Sequence, residues 1–215
     1  MNIGTFLDLY CQHCPELLYW WMDESVSPHA AISYFLDIGS NSGQEIDWLL
    51  ADKNPPIEIH AFEPHPMFFD ELCDRIEDPR VFIYPKAFST QNGKAKFFFK
   101  NSPTARNGGA TLVGDKTNVS GKDAIEVTTV DSAQFINNVF SGLQKISVLK
   151  IDVEGAEYDI LYHLAATGAL DKVKCLIFED HSRKVDTKKW HDKKKATIAL
   201  LKEIGIELHN GKNRR

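Results

Sequence analysis

No apolar run in this 215-residue chain approaches the roughly eighteen residues that a membrane-crossing helix needs. Its start, residues 1–21, lacks the basic opening, continuous apolar core and small-residue cleavage site of a secretory signal. Cysteine is scarce: four residues in a chain of this length do not build a disulfide framework. Neither charge sign dominates, and a net charge of −5 with 43% hydrophobic residues excludes a disordered chain. The sequence therefore reads as a cytoplasmic protein with reduced thiols and no membrane partner. Cys11 and Cys14 form a C-x-x-C, but the zinc reading needs a second ligand pair that is missing, so they read as helix-packing residues.

Two nucleotide signatures are also absent. From Gly39, the third position of a G-x-G-x-x-G would be Asn41 and the sixth Gln44, so the dinucleotide fingerprint fails twice. There is no G-x-x-x-x-G-K-[ST] for a P-loop.

What is present is an alternation of short β-branched or aromatic runs with stretches of helical spacing. The runs at 34–38, 57–62, 81–84, 148–151 and 173–178 read as buried strands. Residues 44–51, 66–76, 155–166 and 189–204 read as the intervening helices. Nearly continuous apolar strands separated by helices imply an α/β doubly wound fold, a parallel sheet covered on both faces. Residues 93–130 break the rhythm and predict an antiparallel β insertion, 96–100 with 124–130, around a loop holding Pro103, Arg106, Gly108, Gly109 and Gly114. A loop of that length is a candidate lid or acceptor grip. The expected organisation is one domain over 1–215, with 1–30 a helical cap, 34–181 a cofactor-binding core, and 182–215 a C-terminal helix and basic tail. Residues 183–215 hold 11 Lys/Arg against 4 Asp/Glu, so the rest of the chain is strongly acidic.

The first strand ends in Asp37-Ile-Gly39-Ser-Asn41-Ser42-Gly43. Two glycines bracketing a strand-to-helix turn place unpaired helix N–H groups at the carboxyl edge of the sheet, where such folds bind ligands. The second strand ends in Glu63-Pro64, an acid suited to two ribose hydroxyls, and the third runs into Ala87, where an adenine edge is expected. The D-x-G-x-x-x-G resembles the first motif of class I methyltransferases that bind S-adenosylmethionine. The likeness sharpens at Lys150-Ile-Asp152-Val-Glu154-Gly-Ala-Glu157. With FLDIGSNSG, IHAFEPHP, PKAFS and VTTVDSAQFI, the chain resembles the FkbM-type methyltransferase family from about Tyr34 to His181. That resemblance implies a seven-stranded Rossmann-like class I methyltransferase sheet with flanking helices, and S-adenosylmethionine as methyl donor. The acceptor it implies is a hydroxyl on a sugar or another small molecule. It implies a cofactor site of Asp37, Gly39, Asn41, Ser42, Gly43, Glu63, Pro64 and Ala87. Only residues 205–215 follow the last helix, so the family's terminal strands are expected to be shortened or missing.

A neutral alcohol is a poor nucleophile, so the reaction asks for a base. His181, after the fifth strand, is the first choice because its ordinary pKa lies near neutrality. Asp152 and Glu154, at the fourth strand tip, complete the catalytic set, with Asp152 orienting the acceptor or the cofactor's amino group. Asp152, Asp180 and His181 also offer a divalent-metal donor set suited to Mg²⁺ or Mn²⁺, which the sequence allows but does not lead one to expect. Two other functions stay open. One is a nucleic-acid methyltransferase using the basic tail, disfavoured by the acidic core and by the missing N/D-P-P-Y/F motif. The other is a cofactor-binding scaffold without catalysis.

Overall fold

The computed structural model describes residues 1–13, 17–21, 27–101, 109–142, 145–185, 187–206 and 208–210, with backbone alone at 17–21, 120–122 and 209–210. Cys14, the loop residues Pro103, Arg106 and Gly108, and the end of the basic tail lie outside the described residues. In chain order come α1 (Ile3–His13), β1 (Leu17–Trp21), β2 (Tyr34–Ile38), α2 (Gln44–Leu50), β3 (Glu58–Phe62), α3 (Pro66–Arg75) and β4 (Val81–Tyr84). Next are β5 (Lys86–Ser89), β6 (Gly93–Lys100), β7 (Val119–Asp131) and α4 (Ser132–Val139). Last are β8 (Ile146–Ile151), α5 (Glu157–Ala166), β9 (Val173–Glu179), α6 (Lys188–Glu203) and β10 (His209–Asn210).

The main sheet runs β10-β1-β9-β8-β2-β3-β4, and its five members from β9 to β4 are parallel. Period-two alternation sends neighbouring apolar residues to opposite faces. Leu36, Ile38, Leu149, Ile151, Leu176 and Phe178 join one core with α4, α5 and α6. Phe35, Ile59, Val148, Cys175 and Ile177 join the other, which α1 closes with Ile3, Phe6, Leu7 and Tyr10 at helical spacing. The chain runs from β2 outward to β4, then returns to β8 and β9 on the other side of β2. The sheet's switch point therefore lies between the tips of β2 and β8, where ligands bind in open α/β sheets.

Three features differ from the sequence reading. The N-terminal cap is not all helix: after α1, the run Leu-Leu-Tyr-Trp-Trp forms β1 and pairs along its whole length, antiparallel, with β9, from Leu17 opposite Glu179 to Trp21 opposite Cys175. Aromatic β-formers beside an open strand edge gain a full ladder of hydrogen bonds there, outweighing any local helical preference. β10, only two residues long among those described, pairs with β1 in turn, so the terminal strand is shortened as expected while the place beside β9 is filled from the N-terminal half of the chain. The insertion is a mixed three-stranded sheet, β5-β7-β6. β6 and β7 are antiparallel as expected, but β5 lies parallel to β7, because Pro85 interrupts the β4 ladder and redirects the chain.

Candidate active site

The turn after β2 is shaped by close approach. Gly39 has φ +84°, and a Cβ there would sit 1.8 Å from the carbonyl oxygen of Asp152. A Cβ on Gly43, φ +80°, would meet Leu72 and Arg75. Both glycines thus let protein pack on protein and draw the β2 turn onto the β8 tip. Ser42 faces outward, its carbonyl accepting a bond from Arg75.

Beneath the turn lies a buried charge set that sequence reasoning missed. The Lys150 ammonium, 1% exposed, donates to the Gly39 carbonyl at 2.8 Å and stands 3.0 Å from Asp37 Oδ1 and 4.0 Å from Glu45. Among the described residues neither Asp37 oxygen has a hydrogen-bond partner, so Asp37 and Lys150 meet there as a charge contact alone. Burial works against the Lys150 charge, but Asp37 and Glu45 outweigh it and hold its pKa well above the ordinary lysine value. Asp37, expected to face the cofactor, is instead fully buried beneath the turn. The signal was available: Lys150 is the one charged residue in the buried strand β8, Ile-Ser-Val-Leu-Lys-Ile.

Above the turn a cleft of about 590 Å³, counted to its open mouth, is lined by Gly39, Asn41, Glu63, Pro64, Ala87, Asp152 and Glu154. Phe68, Phe88 and Phe97 give it apolar walls, with the His65 ring 4.9 Å from that of Phe68. Glu63 accepts the backbone N–H of Asn41 at 2.8 Å and of His65 at 2.7 Å, which fixes its carboxylate from two sides. Burial pushes its pKa up to about 7 against those two donors.

Asp152 and Glu154 reach the cleft floor in different states. Glu154, at φ +58°, is held by Lys116 and by Lys184 at 3.2 Å. Lys116 comes from the insertion and also donates to the Gly109 carbonyl at 3.0 Å, tying the insertion to the strand tip. No hydrogen bond reaches the Asp152 side chain among the described residues, and its nearest cation, His181 Nδ1, is 3.9 Å away. Burial pushes the Asp152 pKa up to about 7, with Lys150 and His181 opposing and Glu179 and Glu154 adding to the rise.

His181 does not line this cleft. It is 1% exposed, with Nδ1 2.8 Å from Glu157 and Nε2 3.4 Å from Glu179 and 3.5 Å from Glu154. With a carboxylate at each ring nitrogen, only the doubly protonated ring donates to both sides. Burial opposes that charge, but the bonds to Glu157 and Glu179 and the field of Asp152 raise its pKa to about 10. Such a ring is a positioning cation near neutral pH. Its raised pKa contributes stability that is full below about pH 6.5 and is lost as pH rises through about 10. Thermal melts should therefore show the wild type losing its advantage over His181→Gln between those values; parallel curves would refute the charged ring.

Of the sequence-derived metal set, Asp180 is turned away, its carboxylate bound by Lys194 at 2.6 Å and by the Ser182 N–H at 3.0 Å. The grouping that the fold brings together is Asp152, Glu157 and His181, with one potential ligand atom from each within 4.8 Å of the others. Glu157 was not singled out, although it closes the same acidic run. Its Oε1 also accepts the Gly155 N–H at 3.0 Å.

Five parallel strands in this order, an antiparallel strand beside them and a cleft at the switch point define a Rossmann-like methyltransferase fold. The sequence profile of the Methyltransferase FkbM domain matches residues 37–206, and the chain belongs to that family. A hexuronic acid methyltransferase, AglP of Haloferax volcanii, is 27% identical over 146 residues, 68% of this chain and 55% of that protein. The chain thus spans about half the length of this curated relative. A crystal structure titled as methyltransferase FkbM from Methylobacillus flagellatus KT superposes with a TM-score of 0.47 and 12% identity, over 78% of this chain and 37% of that one. Among the described residues, no helix is long and apolar enough to cross a membrane.

Proposed function

We propose that this chain is an S-adenosylmethionine-dependent O-methyltransferase acting on a sugar hydroxyl. The observation that carries this reading is the cleft itself, where a doubly anchored Glu63 and an unbonded Asp152 carboxylate face one space at the sheet's switch point. The residues fit the donor: Glu63 has lone pairs left for ribose hydroxyls, the Gly39–Asn41 backbone borders the same space, and Pro64 and Ala87 supply apolar wall. Bound there, S-adenosylmethionine supplies a methyl carbon activated by its sulfonium. Asp152 accepts the hydroxyl proton, since its pKa near 7 leaves it both ionised and basic at neutral pH. Glu154, fixed by Lys116 and Lys184, orients the acceptor. His181 holds Glu157, Glu154 and Glu179 in place around Asp152.

The acid-lined floor also bears on the product. Glu63, Asp152 and Glu154 repel an incoming carboxylate but accept bonds from a neutral hydroxyl. With D-glucuronate as acceptor, the transferred methyl is expected as an ether that survives mild alkali; an alkali-labile methyl ester would contradict the base assignment.

Calorimetric titration with S-adenosylhomocysteine tests the cofactor site. Micromolar-range binding is expected in the wild type, weakened about 10- to 150-fold in Glu63→Ala by loss of hydrogen bonds to a charged group. Folded wild-type protein that binds neither S-adenosylhomocysteine nor S-adenosylmethionine would defeat the reading.

A further inference from the structure

Two non-glycine residues among those described hold a positive φ, Asn41 at +48° and Glu154 at +58°, and both line the cleft. Such a backbone is costly for a residue with a side chain, and it persists only where the surroundings fix it. Asn41 is fixed by Glu63, whose buried carboxylate accepts its N–H. For Glu154 the corresponding group is Glu157, the first residue of α5 and wholly buried. Its Oε1 accepts the N–H of Val153 at 3.3 Å and of Gly155 at 3.0 Å, the two residues that flank Glu154. The same oxygen takes a third donor, His181 Nδ1, at 2.8 Å.

One carboxylate oxygen therefore ties together the β8 tip, the start of α5 and the segment after β9. A buried anion is favoured at that place: the dipole of α5 suits an acid in its first turn, and the His181 ring pairs with it. On the other side of the tip, the Asp152 N–H donates to the Ile38 carbonyl at 2.8 Å. Asp152 is thus anchored from β2 on its amino side, and the chain leaving it is anchored by Glu157. These two anchors set the direction in which the Asp152 and Glu154 side chains leave the backbone. Glu157 itself does not line the cleft.

We propose that Glu157 is a positioning residue for methyl transfer: by accepting the Val153 and Gly155 N–H groups it locks the left-handed Glu154 and aims the Asp152 and Glu154 carboxylates at the reacting hydroxyl. The inference rests on the methyl-transfer reading of the cleft and adds to it a group that touches neither substrate nor cofactor. In this role the reach of the oxygen matters more than its charge. Asp152, Glu157 and His181 also bring one potential metal-ligand atom each within 4.8 Å of the others, which is the competing use of the same side chain.

Two substitutions separate reach from charge. Glu157→Gln keeps an acceptor oxygen at the same length and puts its amide nitrogen in the place of Oε2, which has no hydrogen-bond partner among the described residues. Glu157→Asp keeps the charge and withdraws the carboxylate by one methylene. Amide hydrogen exchange over residues 153–155 and turnover with D-glucuronate are measured on the full chain and both variants, with circular dichroism to show that each is folded. In Glu157→Asp the Gly155 amide should exchange roughly tenfold or more faster than in the wild type. Its kcat should fall about 10²-fold, the scale of a misplacement of about 1 Å. Glu157→Gln should keep most of the protection and most of the turnover, and both variants should bind S-adenosylhomocysteine within a few-fold of wild type. Wild-type exchange and turnover in Glu157→Asp, or a Glu157→Gln that falls as far as Glu157→Asp, would overturn the proposal. So would Mn²⁺ binding by chelator-treated wild type that Glu157→Gln abolishes. Absence of wild-type turnover or of S-adenosylhomocysteine binding counts against the methyl-transfer reading and not against the lock, which amide exchange decides by itself.

Discussion

Asp152→Asn should lower kcat by about 10²- to 10⁴-fold, the range a positioned general base contributes, while leaving S-adenosylhomocysteine affinity within a few-fold of wild type. The amide keeps the shape of the side chain and removes its basicity, so a loss confined to kcat isolates proton transfer from binding. In the wild type, activity should climb with pH through about 7, because Asp152 must be ionised to take a proton. In His181→Gln the same limb should move to higher pH, since a nearby positive charge that favours the Asp152 carboxylate is gone. If His181 were the base, His181→Gln would be inactive and Asp152→Asn largely active. That pattern in the two rate profiles would reverse the assignment.

The largest effect on stability is expected at Lys150→Met. Removing the ammonium leaves the fully buried Asp37 carboxylate without its counter-charge and frees the Gly39 carbonyl. Breaking one side of a buried pair costs about 3–5 kcal/mol. For a chain of this size that is a drop in melting temperature of roughly 6–20 °C. Adding Asp37→Asn should recover much of it, because no unpaired charge then remains inside. A single variant that melts within two or three degrees of wild type would show that the pair does not hold the turn. The turn's role also predicts an indirect cost: S-adenosylhomocysteine affinity should fall in the single variant although Lys150 does not line the cleft.

The parallel core was legible in the sequence because its strands carry apolar runs bounded by turn residues. Two of the five strands, β2 and β4, coincide with their runs, and the other three differ from theirs by at most two residues at one end. Glu63 and the Gly39–Gly43 turn were legible for the same reason, since each follows directly on a strand end. Partnership was not legible. Asp37 reads as a cofactor residue until Lys150, more than a hundred positions away, is seen beside it. His181 reads as a base near neutrality because an isolated imidazole is one. Its charge is set by Glu157 and Glu179, which the fold rather than the local sequence brings to its two nitrogens. Likewise β1 could not be told from a helix, because its five residues show no period and its partner strand lies at the far end of the chain.

That last pairing bears on the birth of the molecule. A ribosome adding about 5–20 residues per second releases β1 long before β9, whose residues follow about 160 positions later. For roughly 8–30 seconds the run Leu-Leu-Tyr-Trp-Trp has no native strand to pair with. An apolar, unpaired segment of that kind is what chaperones capture and what seeds association between nascent chains. Synthesis speed and chaperone supply, rather than the equilibrium stability of the finished sheet, should therefore set how much of this protein a cell recovers in usable form.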